Sequence, residues 1–450
     1  MFKIDYNRNM YATVAIIATA SVLFYLFGIL FAGSHPSTPS VSYYKSDSVS
    51  DCSWLIFTDG IKTYAKNCNT GVITYNGTDA ATVIQNATNS MSNGGLIFIK
   101  HGKYMITKTI NLRHGITLEG ESPSQAVTGS SGGTHLKLAN GADVDMLAYN
   151  GANLAYFFTF RDIFLDGNKG HNSSGNGIHL NNKANDVLVE NVYIDGFAQH
   201  GLNFDKVWNY RIIGDILEHN VLDGMFVKAG SHIAIVGSKF LTNGQYGAEF
   251  GTDNGGIDAV MMSDNYIQEN HKIGVRLVNS QGADIIGNVF QINSDGNPGL
   301  YPQLQLDHSC TYSKVEGNQF IGSSMAKYAI AISDGLSKNV IIIGNGMQGH
   351  TASQPIMDLG TNTIIQDNGG YVTENAGTGI IFNGTTSVII RHGLSYIPTA
   401  AEIFITRTNS PTNDPGNVWI SNITSTQFTV NVRKDPGASG MAFSWAVRRI

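Results

Sequence analysis

Charge is scarce in this sequence. Only 14% of its 450 residues are Asp, Glu, Lys or Arg, and 28 cations face 34 acids for a net charge of −6. No Lys/Arg run follows the first eight residues. A nucleic acid partner is therefore excluded, because nothing in the chain would concentrate cations against a phosphate backbone. Proline is scarce too, at 10 residues, and there are 3 cysteines, none with zinc-ligand spacing. What fills the gap is 51 Gly and 42 Asn, about a fifth of the chain. Both accept positive φ in turns. Both are poor in helix interiors, which disfavours a helical bundle, and 42% hydrophobic content excludes disorder.

The one long apolar run, Met10 to Ala32, carries no charge over 23 residues. As a helix it would span roughly 34 Å, enough to cross a bilayer. Lys3 and Arg8 precede it and no cation follows until Lys45, which places residues 1–9 in the cytoplasm and the bulk outside. An uncleaved anchor over 10–32 is favoured over a cleaved signal peptide, since the run exceeds the ~7–15 residues of an h-region. A Ser/Pro-rich stalk covers 33–51. Export fits five Asn-x-Ser/Thr acceptors at Asn76, Asn86, Asn172, Asn383 and Asn422. It also fits a disulfide between Cys52 and Cys68, worth ~3 kcal/mol, with Cys310 left as a buried free thiol. Residues 52–93 read as hairpins and one amphipathic helix, with Ala81, Ile84, Ala87 and Met91 on its inner face.

From residue 94 to 378 short strands alternate with Gly/Asn turns. A repeat centred on Phe164, Tyr193, Leu217, Phe240, Tyr266, Phe290, Phe320 and Met347 recurs at intervals of 29, 24, 23, 26, 24, 30 and 27 residues. A second element, Gly-apolar-x-apolar, recurs as GIHL, GLNF, GMFV, GAEF and GVRL between residues 177 and 277. Such a period needs a solenoid. Its inner face predicts an aliphatic column of Ile178, Leu202, Met225, Ala248 and Val275 and a structural Asn ladder of Asn220, Asn243, Asn270 and Asn293. Residues 379–450 show short β runs broken by Pro, Asn and Gly, a small β-sandwich with Trp419, Phe428, Phe443 and Trp445 as core.

The run GLIFIKHGKYMITKTINLRHGITLEGE, followed by RDIFLDGN and the GNxF coils, resembles the pectate lyase superfamily over residues 71–350. The opening YAKNCNTGVITYNGTDAATVIQNATNSMSNGG is similar to the capping segment of archaeal surface proteins of that superfamily. The C-terminal stretch IIRHGLSYIPTAAEIFIT with FSWAV resembles domains appended to viral tail-fibre and cell-surface proteins. The resemblance implies a right-handed parallel β-helix; with the apolar run and the C-terminal pattern, the expectation is an all-β protein, a single-stranded right-handed parallel β-helix of about ten coils with an N-terminal transmembrane helix and a C-terminal β-sandwich. The same cylinder carries lyases, hydrolases, epimerases, tailspikes and adhesins, so it does not choose among them.

Chemistry is sought on the outward side of the Gly-apolar-x-apolar strands. One column there runs His179, Asn203, Phe226, Glu249, Arg276 and its neighbour runs Asn181, Asp205, Lys228. Asp205 and Glu249 would lie two coils apart, near ~10 Å, a spacing suited to an acid and a base flanking a glycosidic bond. His179, Asn203, Lys228 and Arg276 would hold substrate. The bland alternative is a solvated face of interleaved charges, each pair worth a few tenths of a kcal/mol. The polygalacturonase marks that the resemblance would supply, Asn-Thr-Asp, Asp-Asp, Gly-His-Gly and Arg-Ile-Lys, are absent, with only Gln199-His200-Gly201 and Arg211-Ile212-Ile213 as echoes. No cofactor is expected; the one calcium candidate, Asp253, Asn254 and Asp258, reads better as a turn. The expectation is a membrane-anchored extracellular protein that binds or presents to surface polysaccharide. Its alternatives are a polysaccharide lyase or glycoside hydrolase, and a viral attachment spike, which would be a homo-trimer.

Overall fold

The computed structural model describes residues 52–124 and 132–449. The expected anchor at 10–32 and the stalk lie outside the described residues. Among those described, no helix is long and apolar enough to cross a membrane.

Each coil of the cylinder contributes one strand to each of three sheets. Val207–Ile213, for example, lies in the first sheet, Ile216–Glu218 in the second and Met225–Val227 in the third, after which Gly230–Val236 returns to the first. The second and third sheets have ten strands each, in parallel and in sequence order. The first has fifteen, because three antiparallel strands, Trp54–Thr58 and Thr63–Asn67 of a hairpin and then Ile73–Gly77, extend it and the short Ser280–Gln281 pairs beside its path; Trp54–Thr58 joins the coils in parallel alongside Ile97–Ile99. Cys52 and Cys68 are disulfide-bonded at the base of that hairpin. Helix α1 (Ala80–Asn89) starts at Asp79, whose carboxylate accepts the Thr82 amide, and buries Ala81, Ile84 and Ala87 against the first coil as the apolar spacing predicts.

The aliphatic column forms as expected: Ile178, Leu202, Met225, Ala248 and Val275 are successive partners and fully buried. Each such Leu or Ile contributes about 2 kcal/mol by burial. In the second sheet the expected centres are one residue off in three coils. The inner column is Leu165, Ile194, Leu217, Phe240, Ile267, Phe290, Phe320, Met347, while Phe164, Tyr193 and Tyr266 face outward. Strand alternation follows from the turn that precedes it and not from aromatic character, so a ring in the motif does not mark the core side.

The Asn ladder is present. Asn220 donates its side-chain amide to Asn243, Asn243 to Asn270 and Asn270 to Asn293, at 2.8–3.0 Å. A second ladder was not anticipated. Asn265, Asn288, Asn318, Asn345 and Asn368 bond in the same way at the turn between first and second sheets. The residue before each has positive φ, as at Gly317 (64°), where a Cβ would touch nothing and only the backbone conformation favours Gly. Gly-Asn pairs such as Gly287-Asn288 and Gly344-Asn345 were its sequence signal.

At the C-terminus two three-stranded antiparallel sheets face each other over Phe428, Phe443 and Trp445. The first strand, Glu374–Ile381, pairs with Met441–Arg448, so this part starts ahead of residue 379. Trp419 is not core. It is 48% exposed, because period-2 alternation in Val418–Ser421 turns its neighbour Ile420 inward instead.

Candidate functional site

On the third sheet the registers match the predicted column: His179 pairs with Asn203, Asn203 with Phe226, Phe226 with Glu249, and Glu249 with Arg276. Asp205 follows the strand Leu202–Phe204 and Lys228 the strand Met225–Val227, so Asp205 and Glu249 stand two coils apart with the Lys228 coil between. Lys228 is exposed and Asp205 partly so. The other members are drawn into contacts with residues the sequence reading missed.

Asp145 is the first of these. Its carboxylate accepts two bonds from Asn176 and contacts His179 Nδ1 at 2.8 Å. His179 Nε2 then lies 4.0 Å from Asp205, buried and without a hydrogen-bond partner, as is Asn203 Oδ1 beside it. The bond to Asp145 raises the His179 pKa against the opposing effect of burial. Burial pushes Asp145 up, but its bonds to His179 and Asn176 outweigh that and leave it below the usual carboxylate range. The arrangement is a carboxylate that orients an imidazole whose far nitrogen points toward a second carboxylate.

Farther along, Arg276 donates to Glu249 at 2.6 Å and to Asp307 at 2.7 Å. Burial opposes its charge, yet the bonds to Asp307 and Glu249 hold it protonated more firmly than usual. Asp307 is displaced downward, its bonds to Arg276 and Ser333 overcoming burial. Glu249 moves the other way, raised by burial and by Asp223 despite Arg276. Of the two carboxyls on the guanidinium, Glu249 is therefore the one displaced upward and Asp307 the one displaced downward.

The missed residues share one position, two before each third-sheet strand. There Asp145, Asn176, His200, Asp223 and Tyr246 form a ladder of mixed composition: each backbone amide donates to the side chain one coil earlier, from Asn176 to Asp145, His200 to Asn176, Asp223 to His200 and Tyr246 to Asp223. His200 also stacks on Phe226, ring centroids 5.1 Å apart. Counting back from each Gly-apolar-x-apolar strand would have found this column in the sequence.

A separate cleft of about 570 Å³ opens on the second sheet, lined in part by His135, Lys137, Asp166, Asp195 and His219. Lys137, Asp166, Asp195 and Glu218 are successive partners in register. Asp166 is lowered to about 2, His135 and Lys137 overcoming its burial, while burial raises Asp195. Among the described residues two groups bring His and carboxylate atoms within 4.8 Å of one another and could hold a cation, Asp195/Glu218/His219 and Asp307/His308/Asp334. The residues of the calcium candidate are spread over a turn and the strand that follows it. Asp258 is exposed in the strand Ile257–Ser263, while Asp253 approaches His308 at 3.5 Å from a turn closed by the Thr252–Gly255 bridge. One glycosylation candidate also fails: Asn172 is 7% exposed and its amide bonds Gly167, Asn168 and the Asp143 amide, so a glycan there would require that turn to open.

The family model for the right handed beta helix region matches residues 127–290. The chain has a right-handed parallel β-helix fold. Among solved structures, ORF18 of Geobacillus virus E2 is 15% identical, with 80% of this chain and 74% of that one covered at a TM-score of 0.50. The A-module of the mannuronan C-5 epimerase AlgE6 of Azotobacter vinelandii is 16% identical, covering 64% and 94% at 0.45. The surface protein and adhesin PfbA of Streptococcus pneumoniae is 12% identical, covering 64% and 92% at 0.46. At these identities the likeness is one of fold. No curated protein matches the chain in sequence.

Proposed function

We propose that this is an extracellular, membrane-anchored β-helix protein that binds polysaccharide along the outward face of the third sheet. One observation carries the reading: the coils of His179, Asn203, Phe226 and Glu249 present a ridge with an exposed Lys228 and a partly exposed Asp205, and just beneath them His179 Nε2 and Asn203 Oδ1 are buried without a partner. A row of hydrogen-bonding groups repeating once per coil, ~4.8 Å apart, suits an extended chain better than a small solute. The Cys52–Cys68 bond supports an oxidising compartment. Asn76, Asn383 and Asn422 are exposed and Asn86 partly so, and these four are the proposed glycan acceptors.

A second reading, hydrolysis or lyase chemistry, is favoured by the Glu249 carboxyl being raised while Asp205 stands two coils away. Glu249 would then protonate the leaving oxygen and Asp205 act as base. The test is to incubate the purified chain with neutral and uronate polysaccharides and follow both binding and new reducing ends. Binding without release supports the first reading. Release that Glu249→Gln abolishes while binding persists moves the assignment to the enzyme, and no binding to any polysaccharide contradicts both.

A further inference from the structure

A second cleft, of about 600 Å³, lies where the last coil of the β-helix meets the C-terminal sandwich. The two parts build it jointly. Tyr328 and Asp358 come from the coils, Tyr396, Glu402 and Arg449 from the sandwich, and Tyr371 from the segment between. Arg449 donates to Asp358 at 2.8 Å and packs over the Tyr396 ring, 5.5 Å from its centroid. The Tyr396 hydroxyl reaches Glu402 at 3.3 Å, and Glu402, only 8% exposed, also accepts from the Thr399 amide and hydroxyl. Tyr396 is thus held by an ion pair and a buried carboxylate.

We infer that this junction cleft binds a neutral hexose unit, a site separate from the third-sheet ridge; the inference rests on the reading of the protein as a polysaccharide binder. Tyrosine combines an apolar ring that covers the C–H face of a pyranose with a hydroxyl that bonds its edge, and three of them converge here. The guanidinium and carboxylates offer planar donor and acceptor pairs that match adjacent sugar hydroxyls. Two carboxylates against one guanidinium leave no net cation for a uronate or sulfate, so an acidic sugar is disfavoured at this position. The ridge differs, since Lys228 stands there exposed.

Calorimetric titration of the full chain with gluco-, galacto- and manno-hexasaccharides and with hexa-uronates tests it. At least one neutral series is expected to bind. Tyr328→Ala and Tyr396→Ala should each weaken that binding by about ten-fold or more, roughly the loss of one aromatic contact, with Tyr396→Phe close to the parent. Lys62→Ala, exposed on the N-terminal hairpin away from both faces, should leave it unchanged. If Tyr396→Ala lowers the melting temperature, Tyr328→Ala decides. Neutral binding that survives both alanine variants overturns the inference. So does neutral or acidic binding lost only with Lys228→Ala, an outcome that leaves the ridge reading intact, whereas absence of binding to every glycan removes both.

Discussion

Two kinds of polar column run along this cylinder, one inside and one out. The inner ladders use a single residue: from Asn220 to Asn293 and from Asn265 to Asn368 each amide is buried and bonded to the next coil and to the backbone. The column at the edge of the third sheet also links backbone amide to side chain, but toward the preceding coil instead of the following one, and it changes residue at every coil, from Asp145 through Asn176 and His200 to Asp223. Beside it the ridge varies further, and some of its atoms have no partner. Repetition marks a column whose partners are its own neighbours; variation marks one shaped toward something else. Uniform Asn is sufficient to satisfy stacked turns, so a His or Asp in the equivalent place supplies charge that the fold does not need.

Breaking the inner column should have the largest effect. Asn270→Ala leaves two Asn243 donors without their acceptor and removes the side-chain donor to the Phe240 carbonyl in a dry interior, and a loss of about 3–5 kcal/mol is expected in chemical denaturation. Cutting the outer column at its strongest contact should do less. Arg276→Gln strands two partly buried carboxylates, Glu249 and Asp307, for about 2 kcal/mol. Adding Glu249→Gln and Asp307→Asn should restore most of that, since the loss comes from unpaired charge. The smallest effect belongs to the Asp145–His179 contact. The His179 pKa is raised in the folded protein, so its contribution is complete below the ordinary value near 6.5 and fades as pH rises through the higher folded value. Asp145, displaced downward, loses its contribution only when pH falls through its lowered folded pKa. Stability measured between pH 6 and 9 should therefore fall by less than about 1 kcal/mol more in the parent than in His179→Gln.

The same contrast explains what could be read from the sequence. The aliphatic column and the first Asn ladder repeat one residue type at one offset from a Gly, and periodicity exposes them. The column His179, Asn203, Phe226, Glu249, Arg276 was reached through those neighbours and not through its own residues. Its partners Asp145 and Asp223 stayed hidden because each sits two residues ahead of its strand, outside the Gly-apolar-x-apolar motif, and Asp307 because its strand, Leu304–Asp307, lacks the motif's Gly. Phe164, Tyr193 and Tyr266 misled because an outward ring on a stacked sheet still finds another to pack on, as Phe164 does with Tyr193 at 4.7 Å. Trp419 misled for a related reason, since a tryptophan on the edge strand of a small sandwich has only one face's worth of core to enter. The junction cleft had little sequence signal, because Tyr371 and Tyr396 lie in segments that belong to no repeat, and only Tyr328 occupies a repeat position, two before the strand Ile330–Ile332.

The most direct test is the affinity of the chain for polysaccharide before and after the double substitution Asp205→Asn, Lys228→Ala, measured with the melting temperature of both proteins. The ridge account predicts a weakening of at least about ten-fold at an unchanged melting temperature, because neither side chain takes part in the inner columns. Equal affinity in the two proteins would show that the third-sheet face is solvated scaffold and would contradict the account.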